Sequence, residues 1–477
     1  MLDLFLFAFV MGMLALGVRR PFVWVLAYLY IDILAPQKIG WALTPALPIS
    51  LIAFCAAFAG WLLTDSKRET RITHRQLLMA FLLGYCWMTT GWAEFPEGAQ
   101  EKWDWVWKAL VFAIFLPFTL TTRLRIEAAA LVMVLSAGAI IISGSIKTVF
   151  AGGGYGTLRL FVDDNSGIYE SSTIAAVAVA MIPLVMWLVR HGTIFPDDWR
   201  VRTFAYALIF ACLLIPVGTE ARTGLVCIAA LGVLLLRDNR RRFVYLAAAG
   251  ALGVMALPFM PASFYERMAT ITQPGGDESA STRLRVWEWT LDYVEDKPLG
   301  GGFDAYRGNS FTYRMPVEEE AGTATKIETK EVTDEGRAYH SAYFEMLGEQ
   351  GWPGLIAWLW LHLSGLWQME RIRRRWRATA DPVHGWRAPL ANALQVGQAV
   401  YLVASLFIGI AYQPFVLMLV GMQCALWVHC RRAESHAPGG PSGRRSRRPS
   451  RAAATAAPPA APPAAPNAVA TGGPALR

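Results

Sequence analysis

Apolar runs of about 14 to 21 residues recur along this chain, each bounded by charged residues, and a run of that length is what a helix needs to cross a bilayer. A soluble domain carries about 25% charged residues. This chain carries 17%, with 55% hydrophobic residues and a mean hydropathy of +0.35 over 477 residues. The sequence therefore reads as all-α, a polytopic transmembrane helical bundle of about 12–13 spans with one large outer loop.

The runs place helices at Leu2 to Val18, Pro21 to Leu34, Pro48 to Leu63, Gln76 to Thr90, Trp105 to Phe118 and Ile126 to Ile146. They continue at Ser171 to Val189, Thr203 to Gly218, Leu225 to Leu236, Phe243 to Met260, Gly351 to Trp367, Leu390 to Ile410 and Phe415 to Val428; the second and ninth are short. Leu2 to Val18 lacks a basic leading region and runs into another span, so it reads as a span and not a cleavable signal.

Basic residues accumulate in cytoplasmic loops. They cluster here at Arg19 and Arg20, Lys67 to Arg75, Arg123 and Arg125, Arg190 to Arg202, Arg237 to Arg242, and Arg371 to Arg377. With thirteen spans all these clusters fall on one side, putting the N-terminus outside and the C-terminus inside. The loop from about Pro261 to Gln350 then lies outside, with shorter outer loops at Gly152 to Glu170 and Gly218 to Gly224.

The expected divisions are N-terminal helices over 1–125, central helices over 126–260, the large loop over 261–350, C-terminal helices over 351–430 and a tail over 431–477. The tail is rich in Pro, Ala, Gly and Arg and cannot bury enough surface to offset its ordering entropy, so it should be disordered. The net charge of +8 reflects basic loops and tail facing anionic lipid rather than nucleic acid. All six cysteines sit in or at the ends of apolar spans, which indicates neither a disulfide framework nor a zinc site.

Of seven histidines this topology leaves His340 alone on the outer face. Helical spacing puts it on one face with Tyr343, Phe344, Leu347, Gly351 and Gly354, at the top of an inserting helix. The positive end of that helix favours a neutral imidazole. A surface histidine at a helix start fits the spacing equally well. Arg222 is a cation in a very short outer loop at a helix start, against both the basic-inside bias and the helix dipole; it either pairs with Glu220 or binds an anion. Arg283 and Trp287 lie one helical turn apart, before the breaker run Pro298 to Gly302. Guanidinium groups suit phosphate oxygens, although a helix lying on a membrane has the same pattern.

His340-Ser-x-Tyr343-Phe-x-x-Leu-Gly-Glu-x-Gly351-x-x-Gly354 resembles the hallmark of the O-antigen ligase and polysaccharide polymerase superfamily of membrane glycosyltransferases, in particular its exosortase A-associated O-glycosylation ligase branch. Arg283-x-x-x-Trp287 with Pro298-Leu-Gly-Gly-Gly-Phe303 is similar to a second signature of that branch. Phe161-Val-Asp-Asp164-Asn165-Ser resembles its Asp-Asn-Asn element, and Arg19-Arg-Pro-Phe22 its opening. The resemblance covers about residues 1–430; Ala221 stands where a serine is usual and Ser166 replaces an asparagine.

The resemblance implies transfer of a glycan from an undecaprenyl-diphosphate carrier to an acceptor hydroxyl on glycan, lipid or protein, with inversion. It implies no cofactor and no metal, and an active site facing the periplasm from the bacterial inner membrane. By the family pattern His340 is the general base, and Arg222 and Arg283 hold the diphosphate and its developing charge. Arg285, Trp287 and Tyr343 are counted with the substrate-binding residues. So are Asp164 and Asn165, which either orient sugar hydroxyls or cap a helix. Independently, no Gly-x-x-x-x-Gly-Lys-Ser/Thr loop and no outer His/Cys cluster with ligand spacing occurs. A polymerase of the same fold shares the chemistry. A lipid-linked sugar flippase would need ionisable residues inside the spans, where few are found.

Overall fold

The computed structural model describes residues 1–67, 70–151, 167–256, 278–321, 324–378 and 384–436. Asp164, Asn165 and the tail beyond residue 436 lie outside the described residues. The N-terminal half supplies α1 (Leu2–Arg19), α2 (Phe22–Leu34), α3 (Ile49–Thr64), α4 (His74–Thr90), α5 (Pro96–Thr119), α6 (Arg123–Ala151) and α7 (Ser171–His191). The rest supplies α8 (Trp199–Gly218), α9 (Arg222–Leu235), α10 (Arg242–Ala256), α11 (Glu278–Asp296), α12 (Ala342–Trp376), α13 (Arg387–Ala404) and α14 (Pro414–His436).

Every expected span overlaps a helix, the one at Phe243 to Met260 as far as Ala256, beyond which it lies outside the described residues, but their lengths are unequal. Among the described residues, five helices are long and apolar enough to cross a membrane: α1, α6, α7, α8 and α14. The apolar helices α2, α3, α9 and α10 are shorter. The run expected to end at Ile410 leaves the helix at Ala404, and the backbone stays irregular until Pro414.

Residues 1–430 form one compact unit. At its centre lies α7, buried from Thr173 to Val185. Its side chains include Ala175, Ala176, Ala178 and Ala180, and small residues let helix backbones approach closely where lipid removes the usual hydrophobic drive. The approach to α13 leaves no spare room, since a Cβ added at Gly397 would meet the Ala180 carbonyl oxygen at 2.7 Å. At the periphery, α1 exposes Leu4, Phe5, Phe9 and Leu16, and α8 exposes Phe204, Tyr206 and Phe210. Apolar surface on this scale fits lipid contact.

One end of the bundle is tied by charge. Arg125 donates twice to Asp65 (2.6 and 2.8 Å), Arg123 donates to Glu127 (2.7 Å) and to the His191 carbonyl (2.6 Å), and Glu127 accepts from the Thr193 N–H (2.7 Å). Chain segments bearing three of the basic clusters therefore meet at this end. The starts of α7, α9 and α12 lie at the other end, together with a feature not expected from sequence. This is an antiparallel hairpin, β1 (Ser310–Ala321) paired with β2 (Ala324–Glu335) from Ser310 against Glu335 to Ala321 against Ala324.

Gly397→Ala is expected to destabilise the protein by about 1–3 kcal/mol, because backbone on both sides must yield. Gly84→Ala, where an added Cβ meets nothing within 4 Å, should leave the detergent-solubilised unfolding midpoint unchanged or slightly raised.

Candidate active site

The start of α12 is fixed from two sides. The Ala342 N–H and the Ser341 hydroxyl both donate to the Ser405 carbonyl (2.8 and 3.3 Å), and the Tyr343 hydroxyl donates to the Leu402 carbonyl (3.0 Å). From α11, the Trp287 indole N–H donates to the Tyr339 carbonyl (2.9 Å), and its ring stacks on Phe344 with centroids 4.9 Å apart and planes 4° from parallel. Tyr339 and Ser341 are buried, while His340 between them is exposed. His340 takes φ +47°, a left-handed conformation that a histidine adopts at a cost and keeps only when its neighbours dictate it.

This corrects the helical-face expectation for His340. The residue precedes Ser341, which caps α12, and Gly351 (φ 61°, ψ −166°) breaks α12 into two helical pieces. His340 therefore stands above the helix N-terminus, where the dipole still disfavours a positive imidazole. Desolvation first, and the Arg283 guanidinium second, hold the ring below its ordinary pKa; Glu170 pulls it upward and Arg337 downward, each by less. Arg283 is thus within electrostatic reach of His340.

Arg222 opens α9 directly after Glu220 and Ala221, both buried, with Glu220 at φ +48°. A Cβ on Gly224 would lie 3.1 Å from that of Ala175, so the first turn of α9 packs against the start of α7. The Glu170 carboxylate caps α7, accepting from the Ser172 and Thr173 N–H groups (3.0 and 2.5 Å). Glu170 thereby connects the two halves of the site, since its helix adjoins that of Arg222 and its charge acts on His340. Nothing in the loop sequence had singled it out; a carboxylate followed by Ser-Ser-Thr before an apolar run is the signal available.

His340, Arg283 and Trp287 are brought together, and Arg222 lies at a neighbouring helix start on the same end of the bundle. Arg285 is about 200° around α11 from Arg283 and exposed, so it faces away from that group. Tyr343 is half-buried with its hydroxyl committed to α13.

Beneath the site lies an ion cluster. Lys102 of α5 donates to Glu345 and to Glu349 at 2.7 Å each. Glu349 also accepts from the Asp304 N–H (3.1 Å), and Glu345 from the Ala411 N–H (2.9 Å). Glu349 is fully buried and Glu345 nearly so, which fits an anchoring role for both. The Pro298–Gly302 run docks alongside: the Gly301 N–H donates to the Gly348 carbonyl (3.0 Å), Gly302 to Glu349 (2.9 Å), and Trp352 back to Pro298 (3.0 Å). A Cβ on Gly300, which sits at φ +84°, would lie 2.5 Å from the Glu349 carbonyl oxygen. The two glycine-bearing motifs are therefore halves of one backbone contact. Among the described residues, no three His, Cys, Asp or Glu side chains gather as a metal-binding group.

The stretch that supplies Arg222, Arg283, Trp287, His340 and Tyr343 is also one that a known family matches. Residues 207–359 match the O-antigen ligase family. Residues 1–193 match a family of unknown function (DUF5935), and no curated protein matches the chain. The multi-pass bundle is thus O-antigen ligase-like over the segment that builds the site, which supports a glycosyl-transferring membrane enzyme. Lys102 and Glu170, on which that site relies, belong to the other matched segment.

Two outcomes are expected. Nitrogen NMR titration of His340 should give an apparent pKa below the ordinary value of about 6.5; Arg283→Gln should move it up, by removing a positive charge, and Glu170→Gln should move it down. Lys102→Met leaves two buried carboxylates without a counter-ion and should cost roughly 3–5 kcal/mol, read as a lowered unfolding midpoint.

Proposed function

We propose that the protein transfers a glycan from an undecaprenyl-diphosphate carrier to an acceptor hydroxyl on the periplasmic side of the bacterial inner membrane, as an O-glycosylation ligase of the exosortase-associated kind. The observation that carries this reading is His340, solvent-accessible, set above the α12 N-terminus and biased toward the neutral form within electrostatic reach of the Arg283 guanidinium. A neutral imidazole accepts the acceptor's hydroxyl proton as the oxygen attacks the anomeric carbon. The glycosidic bond to the diphosphate breaks on the opposite face, so the anomeric centre inverts. The electron pair leaves with the lipid diphosphate. Arg283, with Arg222 from the neighbouring helix start, would hold that diphosphate and offset the charge growing on it.

An arginine beside the base serves both parts of this chemistry. It keeps the imidazole unprotonated and marks the place of the anionic leaving group. Trp287 acts on the base indirectly, by fixing the Tyr339 carbonyl next to it.

The test is transfer from a purified lipid-diphosphate glycan to protein, lipid and glycan acceptors. His340→Ala should lower turnover by on the order of 10²–10⁴-fold, and Arg222→Ala should also weaken it. Unchanged turnover in both variants rules the assignment out. Growth of the lipid-linked chain itself, with no transfer to the other acceptors, would make the protein a polymerase instead.

A further inference from the structure

At the other end of α12 from His340 lies a polar cavity of about 260 Å³. The last turns of α12, the end of α9 with the turn after it, and the first turns of α13 enclose it, and Arg237, Arg373, Arg377, Asp238, Trp376 and Asn392 stand in its wall. It far exceeds the roughly 10–15 Å³ that one water needs.

Among the described residues, charge around the cavity does not balance. Arg373 bonds Asp238 and Glu370 (2.7 Å each), Arg374 bonds Glu370 (2.6 Å), and Arg377 and Arg237 approach Asp238 and Glu370 respectively at 3.7 Å. Four guanidinium groups thus share two carboxylates. Arg237 makes its close bonds to neutral acceptors, the side-chain oxygens of Asn392 (2.6 Å) and Gln395 (2.8 Å). Its Nε and the Trp376 Nε1 are buried donors with no acceptor among the described residues. A network built only for stability would satisfy such donors, since each unmet one costs on the order of 1–3 kcal/mol.

We propose that this cavity binds a phosphate group, presented by an anionic phospholipid or by a free phosphate ligand, with Arg237, Arg373 and Arg377 supplying the charge and Trp376 an N–H. Guanidinium forks match phosphate oxygens, and basic pockets between helices on the cytoplasmic side of membrane proteins take up acidic head groups. The site is independent of the chemistry at His340.

The full-length protein, in neutral detergent and in phosphatidylcholine nanodiscs, is titrated with inorganic phosphate and with phosphatidylglycerol while the unfolding midpoint is followed. A saturable rise is expected for at least one, weakened tenfold or more in Arg377→Gln and in Trp376→Phe. The Trp376→Phe variant keeps the aromatic ring and so guards against simple misfolding. A response to phosphatidylglycerol alone assigns the site to lipid, and a response to inorganic phosphate assigns it to the phosphate group itself. No saturable response to either, or one that both variants leave intact, overturns the proposal.

Discussion

One ammonium group shared by two carboxylates holds the candidate site in place. Glu345 and Glu349 are four residues apart, so both project from the same side of α12 toward Lys102. Each carboxylate also accepts a backbone N–H, one from the segment after the Pro298–Gly302 run and one from the irregular stretch after α13. Four pieces of chain that are remote in sequence therefore converge on three side chains. In water such contacts are weak. Away from water they are strong when complete and costly when incomplete, which makes the arrangement all-or-none.

The candidate groups sit above this cluster and inherit its order. His340 cannot relax from its left-handed conformation without disturbing Tyr339 or Ser341, and each of these is tied to a different helix, Tyr339 to α11 and Ser341 to α13. The distribution between the two matched segments follows from this. Residues 207–359 contain the candidate base and both arginines, whereas Lys102 and the Glu170 cap come from residues 1–193. Neither segment assembles the site alone.

Helix positions were readable because apolar runs bounded by charges mark them, even where a run is shorter than a full span. What escaped the sequence are features with no periodic signature. The β1–β2 hairpin lies within a long, charge-rich loop: Phe311, Tyr313, Met315 and Val317 alternate along β1, but β2 is mostly Thr, Lys and Glu and offers no matching apolar stripe. Lys102 looks like a stray cation in a short outer loop, because its two partners lie more than 240 residues away. The helical-face reading of His340 failed for a local reason: Ser405 claims the N–H of Ala342 and the hydroxyl of Ser341, so α12 starts two residues after the histidine. His340 and Arg222 could be picked out as candidates because a lone outer histidine and a cation in a very short outer loop stand out against the basic-inside pattern, and Arg283 through its one-turn spacing to Trp287.

The contact between Pro298–Gly302 and Gly348–Trp352 is made by main chain on both sides, with Gly300, Gly302 and Gly351 all at positive φ. Packing between side chains can drift, one residue shrinking as its partner grows. Here there is nothing to shrink, so a substitution on one strand of the contact has no compensating substitution on the other. Divergence among chains built this way must leave these glycines where they are and spend itself where contacts are made by side chains, which can change in pairs.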